Sequence, residues 1–308
     1  HPLIPGHEFA GVVAETGAVV DCSWQGKRVG IFPLIPCRAC KPCLEKQYEM
    51  CRHYNYLGSR RDGGFAEYAA VPAENLIALP DAVSFEEAAM LEPMAVAVHA
   101  MRRVRPEEKE TVVICGLGTI GLLLLGFLLK VQGAEGQNIG EQSKGKILAV
   151  GNKEFQKQMA VKLGLGAAQY CDSSTQNVRN WIMECTDGAG ADVFFECVGK
   201  NQTLSQAVDC TAPAGRICLV GNPASDMLLE KEVYWKILRN QQTIMGTWNS
   251  SFTGEASDDW HYVLRHLAEK TMMPDMLISH RFSLDELERG FHMMRDKSED
   301  YVKIMGVL

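Results

Sequence analysis

The rhythm of apolar and polar positions changes twice along this chain. Over residues 1 to about 80, apolar residues come in short runs, GVVAETGAVV, KRVGIF and FAEYAAV, broken by glycine and proline. That texture predicts an irregular β domain. No helical period starts before Ser84. There, Ser84-Phe85-Glu86-Glu87 reads as a capping box, with Ser at the N-cap and Glu three residues on. A helix through AAML follows, limited by Pro93, and a second helix carries AVAVHAMRRV.

From Thr111 apolar strands alternate with helices. The strands are TVVIC, ILAV, VFFECV and RICLVG; the helices are a Leu-rich one, KEFQKQMAVKLG and a stretch near TLSQAVDCTA. Repeated β-α units at this spacing predict a doubly wound parallel sheet in an α/β fold, closing near Thr243 to Gly246. The polar link over residues 131–146, with Glu135 and Glu141, reads as a surface loop. Beyond residue 250 the pattern predicts two helices, DDWHYVLRHLAEK and LDELERGFHMM, and a short closing strand.

Composition narrows the class. The chain has 308 residues, 46% of them hydrophobic and 22% charged, as in a globular protein of one or two domains. A net charge of −7 argues against a general nucleic-acid or anionic-membrane surface. The longest apolar run, Ile120 to Leu129, is too short to span a bilayer. There are 11 cysteines and no signal peptide is visible, which suggests a reducing compartment, the cytoplasm, where clustered cysteines hold metals. The first residue is His1, not Met, so an upstream segment is expected.

Cys37, Cys40, Cys43 and Cys51 follow a C-x2-C-x2-C-x7-C spacing. Four thiolates wrapped around one point suit a closed, structural zinc site. Arg38, Lys41, Glu45 and Lys46 make this a polar loop rather than a core of free thiols. An iron–sulfur run would bring its fourth cysteine after three residues and follow it with proline; here seven intervene and Arg52 follows.

Gly116-Leu117-Gly118-Thr119-Ile120-Gly121 is a GxGxxG sequence between a strand and a helix, the setting in which it binds a dinucleotide pyrophosphate. The next strand ends in Gly151-Asn152-Lys153, without the carboxylate that would bind ribose hydroxyls. Asn152 can serve NAD, and Lys153 can attract the 2′-phosphate of NADP, so both cofactors stay open.

His7-Glu8 sits among apolar residues near the chain start, and Glu92 lies in the apolar run AAMLEPMAVAVHA. A lone histidine is ordinarily a satisfied side chain. A carboxylate in an apolar run is costly unless it is paired or binds a metal. A catalytic zinc takes three protein ligands and one open position. His7 and Glu92 supply two, and the third is expected upstream of His1.

These residues resemble a known family. GHEFAGVVAETGAVV fits the GHExxGxxxxxGxxV signature of zinc-containing alcohol dehydrogenases through Gly6, His7, Glu8, Gly11, Gly17 and Val20. The cysteine loop, Glu92-Pro93 and the GxGxxG follow in the family's order. The chain therefore resembles the zinc-containing medium-chain dehydrogenase/reductase superfamily over essentially its whole length. GSRRDGGFAEY, LEPMAVAVHA and GTWNSSF make it similar to the galactitol-1-phosphate 5-dehydrogenase and sorbitol types of the polyol branch.

The resemblance implies a GroES-like catalytic domain (1–95 and 249–308) split around a Rossmann domain (96–248). It implies an NAD(P)-linked oxidation of a polyol or polyol phosphate. His7, Glu92 and an upstream cysteine would hold the catalytic zinc, with Glu8 a neighbour or alternating ligand. Arg60 and Arg61 would pair with a substrate phosphate or brace their loop. A homodimer or homotetramer is expected from the family. Two other readings stand beside this: a dehydrogenase of an unphosphorylated polyol or simple alcohol, and a non-catalytic dinucleotide-binding protein.

Overall fold

A computed structural model describes residues 3–131 and 145–308. The chain divides into two compact units, His1–Val96 with Asn249–Leu308, and Ala97–Trp248. The polar link with Glu135 and Glu141 falls almost wholly outside the described residues.

The first unit opens with short strands: β1 (Ala10–Val12), β2 (Arg28–Ile31), β3 (Leu34–Ile35), β4 (Asn55–Tyr56) and β5 (Leu76–Ala78). β1, β2 and β5 form one antiparallel sheet and β3 pairs with β4. Val29, Ile31 and Leu57 are buried behind them. The run FAEYAAV forms no strand, because its backbone bonds to another loop instead: Phe65 N–H donates to Pro5 O at 3.0 Å. A single helical turn, α1 (Lys41–Leu44), lies inside the cysteine loop, earlier than the sequence pattern indicates.

Next come α2 (Phe85–Ala89) and α3 (Leu91–Val104). The capping box forms in full: Glu87 N–H donates to Ser84 Oγ at 3.1 Å, and Ser84 N–H to Glu87 Oε2 at 2.8 Å. The break falls at Met90, not at Pro93. Proline is tolerated in a first helical turn, where its missing N–H is not needed. Glu92 therefore sits in the first turn of α3.

The second unit is the doubly wound sheet. Its elements are β6 (Val112–Cys115), α4 (Thr119–Val131), β7 (Ile147–Gly151), α5 (Glu154–Lys162), β8 (Tyr170–Asp172), α6 (Val178–Cys185), β9 (Ala191–Glu196), α7 (Asn201–Cys210), β10 (Thr211–Leu219), α8 (Lys231–Arg239) and β11 (Thr243–Gly246). All pairings are parallel, in the order β8-β7-β6-β9-β10-β11. Strands covered on both faces need continuous apolar runs, and Val113, Leu148, Phe194 and Ile217 are buried in them. β8 does not stand out in the sequence because three residues at a sheet edge are too few to set a pattern.

The chain then returns to the first unit with α9 (Asp259–Ala268), β12 (Ile278–Ser283), α10 (Leu287–Asp296) and β13 (Lys303–Val307). β12 and β13 pair in parallel, and β12 is a strand the sequence pattern misses. Aromatic packing joins the two parts of this unit. Phe32 lies 4.9 Å from Phe252 and 5.4 Å, edge-on, from Trp260. Arg281 forms a two-pronged pair with Glu86 at 2.8 and 2.7 Å.

Candidate metal and dinucleotide sites

The cysteine loop is folded around one point. Cys40 caps α1, Cys43 lies in it, and Cys51 follows a 3-10 turn at Tyr48–Met50. Arg38 and Lys46 take left-handed backbone angles (φ 56° and 58°) that turn the loop back on itself. Sγ–Sγ separations are 3.5 Å (Cys40–Cys43), 3.9 Å (Cys37–Cys43) and 3.9 Å (Cys40–Cys51). A tetrahedron with zinc–sulfur bonds of about 2.3 Å has edges of about 3.8 Å, so the four sulfurs fit zinc with no position left open. Backbone N–H groups of Arg52 and Cys43 hold the Cys40 thiol down to about 6, while burial pushes Cys43 up to about 12.

His7, Glu8 and Glu92 form a second cluster, in which one ligating atom of each lies within 4.8 Å of the others. His7 reaches it from the loop before β1. That loop is pinned by the GSRRDGG segment: Gly63 N–H donates to Ile4 O and Gly64 N–H to Gly6 O, both at 2.8 Å. The backbones meet so closely that a Cβ on Gly63 would lie 2.0 Å from Gly6 O. The glycines of that motif thus position His7.

Glu92 is 7% exposed, and burial pushes its carboxyl up to about 7, although a hydrogen bond from Tyr56 pulls the other way. Burial first, then Lys303, lowers the pKa of His7. A buried carboxylate strained toward neutrality beside a neutral imidazole is a donor pair that a cation relieves, and N and O donors suit zinc. His7 Nε2 stands 3.8 Å from Glu8 Oε1, and the other Glu8 oxygen pairs with the ammonium of Lys303. Burial brings Lys303 down to about 8.

Three further residues here escape the sequence reading. Tyr56 Oη donates to Glu92 Oε1 at 3.1 Å, and Asn249 Nδ2 donates to Tyr56 Oη at 3.4 Å. Lys303 is the third. Each comes from a part of the sequence far from the GHE motif, and only folding brings them to it.

The second unit carries a cavity of about 400 Å³ at the carboxyl ends of its strands, where open parallel sheets bind ligands. Gly116, Gly118 and Asn152, the sequence's candidates for cofactor contact, line it. Gly116 has φ +100°, and a Cβ on Gly121 would lie 2.0 Å from Gly116 O, so this turn needs both glycines. Thr119, Ile120 and Gly121 open α4, whose N-terminus favours an anion. Lys153 precedes α5 and lies outside the cavity lining. Ser173, Lys200 and Gln202 line the cavity without belonging to any motif. Their signal is their position after β8 and β9, which needs the sheet order to be seen.

Arg60 is engaged by its own loop: its guanidinium lies 3.9 Å over the Tyr54 ring, and Nη1 donates to Tyr54 O at 2.8 Å. Arg61 is exposed, and its carbonyl accepts from Gly58 N–H at 2.8 Å.

Residues 1–81 match the family of the alcohol dehydrogenase GroES-like domain, and residues 139–269 match that of zinc-binding dehydrogenases. The chain is 32% identical over 290 residues to galactitol 1-phosphate 5-dehydrogenase of Escherichia coli K12, covering 94% of this chain and 80% of that one. A crystal structure of galactitol-1-phosphate dehydrogenase from Escherichia coli superimposes with a TM-score of 0.86 at 30% identity, over 98% of this chain and 83% of that one. A Sinorhizobium meliloti 1021 structure described as a zinc-binding dehydrogenase, bound to NADP, superimposes with a TM-score of 0.84 at 25% identity, over 100% and 84%.

Proposed function

This chain belongs to the zinc-containing medium-chain dehydrogenase/reductase family, and from that premise we propose that it oxidises a secondary alcohol of a sugar-alcohol phosphate with NAD or NADP. It is an oxidoreductase of the alcohol and polyol dehydrogenase type. Its fold combines a GroES-like domain with a Rossmann-type domain. The carrying observation for the site is the cluster of His7, Glu8 and Glu92 within 4.8 Å.

In this reading His7 and Glu92 are donors to the catalytic zinc, and Glu8 stands beside them, held by Lys303. Zinc bound there supplies Lewis acidity to an alcohol oxygen, and the nicotinamide supplies the hydride acceptor. The chain's own contribution is placement. Gly116 and Gly118 would let a pyrophosphate approach the backbone, and Asn152 lines the same cavity. The closed four-cysteine site braces the loop that carries it.

The phosphate of the substrate is the finer part of the proposal. It is supported by the name of the Escherichia coli relative and by the arginine pair. Arg61 is the better candidate, because Arg60 is committed to Tyr54. We further propose a cytoplasmic homo-oligomer. The exposed apolar residues Tyr234, Trp235 and Leu238 on α8, and the edge strand β11 with Ile244 exposed, support self-association. Among the described residues no helix is long and apolar enough to cross a membrane.

The test is a panel of galactitol 1-phosphate, sorbitol and threonine with each cofactor, with and without a chelator. The proposal expects the phosphorylated polyol to give the highest kcat/KM, chelation to abolish turnover, and Arg61→Ala to lower kcat/KM on the phosphorylated substrate alone. Activity that survives removal of all zinc would sink it.

A further inference from the structure

We infer that Tyr56 is a positioning residue for Glu92: its phenol occupies one carboxylate oxygen and leaves the other as a single metal donor. This rests on the reading that Glu92 holds the catalytic zinc. A buried carboxylate has two equivalent oxygens, and an unrestrained one can swing or chelate through both. Tyr56 Oη donates to Oε1 at 3.1 Å, which occupies one lone pair of that oxygen and restrains the plane of the group. Oε2, the oxygen without the Tyr56 bond, is the one assigned to the metal.

Tyr56 is itself held in place. Its ring stands edge-on to the His7 ring, 5.7 Å away at 63°. Its hydroxyl accepts from Asn249 Nδ2 at 3.4 Å, which directs the phenolic proton toward Glu92. Asn249 in turn is oriented through its Oδ1, which accepts from Ser250 N–H at 2.8 Å and from Ser250 Oγ at 3.4 Å. Ser250 is fully buried and accepts from Trp260 Nε1 at 3.0 Å. The chain Trp260, Ser250, Asn249, Tyr56, Glu92 thus runs from the aromatic core to the candidate ligand. It also gives a role to the NSSF part of the GTWNSSF stretch. Partners that orient ligands in this way typically govern metal affinity by 10- to 100-fold.

The test uses the zinc-loaded full-length protein and Tyr56→Phe, which keeps the ring against His7 and removes only the hydroxyl. Two zinc ions per chain are expected in the wild type. Competition with a chromogenic chelator should show the weaker zinc of Tyr56→Phe bound about 10- to 100-fold less tightly, with the four-cysteine zinc unchanged. With cobalt(II) in the weaker site, Tyr56→Phe should shift and weaken the visible absorption band as Glu92 gains a second coordinating oxygen. Asn249→Ala should move both readouts the same way but less, and the double variant should be no worse than Tyr56→Phe. Unchanged affinity and spectrum in Tyr56→Phe, with two zinc ions still bound, would overturn the inference alone. One zinc per chain in the wild type would overturn it together with the reading it rests on.

Discussion

Lys303, in the last strand, sets its ammonium against the carboxylate of Glu8, the residue after His7. Both side chains are largely buried, at 17% and 22% exposure. Burial draws Lys303 down to about 8 and so favours its neutral form. Near pH 7 Lys303 is still charged, as its pairing with Glu8 requires. Removing one partner leaves the other charge stranded. Breaking a fully buried pair costs about 3–5 kcal/mol, and the remaining exposure here brings the expectation for Lys303→Met to about 2 kcal/mol. Urea unfolding checks this, and Lys303→Arg should recover most of the loss. A Lys303→Met protein as stable as wild type would mean the pair contributes nothing.

Acid should loosen the link between α2 and the residues after α9. Burial raises the Glu87 pKa, but two hydrogen bonds from Lys270, at 2.8 and 2.9 Å, and those from Ser84 outweigh it and leave the folded value lowered. A lowered carboxylate stabilises above its unfolded value near 4.5, and that stability is lost as pH falls through the folded value. Lys270→Met should flatten the stability curve between neutrality and acid. Ser84→Ala should cost about 1 kcal/mol at neutral pH, as other N-cap losses do. Identical acid profiles for Lys270→Met and wild type would contradict this.

The four-cysteine loop should stand or fall as a unit. Cys43→Ser should remove one zinc per chain by elemental analysis and expose the segment 37–51 to protease, because the metal supplies the closure of a loop with little core of its own. Retained zinc with three sulfurs would show that the site tolerates a replacement ligand.

Cofactor choice should turn on Asn152. An acid at Gly151 would force Tyr170 and Gln156 to move, since a Cβ there would lie 2.5 Å from Tyr170 Oη and 2.7 Å from Gln156 Oε1. Asn152 lines the cavity and has room to carry one. Two unit charges about 4 Å apart near a protein surface repel by about 4 kcal/mol, so even a fraction of that in Asn152→Asp should raise the NAD-over-NADP ratio of kcat/KM by about tenfold or more. An unchanged ratio would place the discriminating contact elsewhere.

The parts of the site that sequence discloses are those written within one turn or one loop. Cys37, Cys40, Cys43 and Cys51 share a loop, and the GxGxxG spans one strand–helix turn, so spacing alone reveals their geometry. Glu92 stood out through the apolar residues around it. Tyr56, Asn249 and Lys303 look ordinary in their local stretches. Their importance depends on hydrogen bonds and ion pairs that join positions far apart in the chain. β8 and β12 escaped for a different reason: one is too short for a period, and the other, with His280 and Arg281 inside it, lacks clean alternation. Pro93 misled because proline ends a helix from within but is welcome in its first turn.

The backbone contact between Gly6 and Gly63 limits how this protein can vary. No side chain mediates it, so no change at a neighbouring side chain can compensate for a Cβ placed between the two loops. Ser59 and Arg61 can change and explore new substrates, while Asp62, whose Oδ1 accepts from Ile4 N–H at 2.9 Å, and Gly63 are held by their contacts with the loop that carries His7. Selection can therefore redesign the outward-facing part of this loop with the metal site still intact, which is a route by which one scaffold diversifies its specificity without first losing its chemistry.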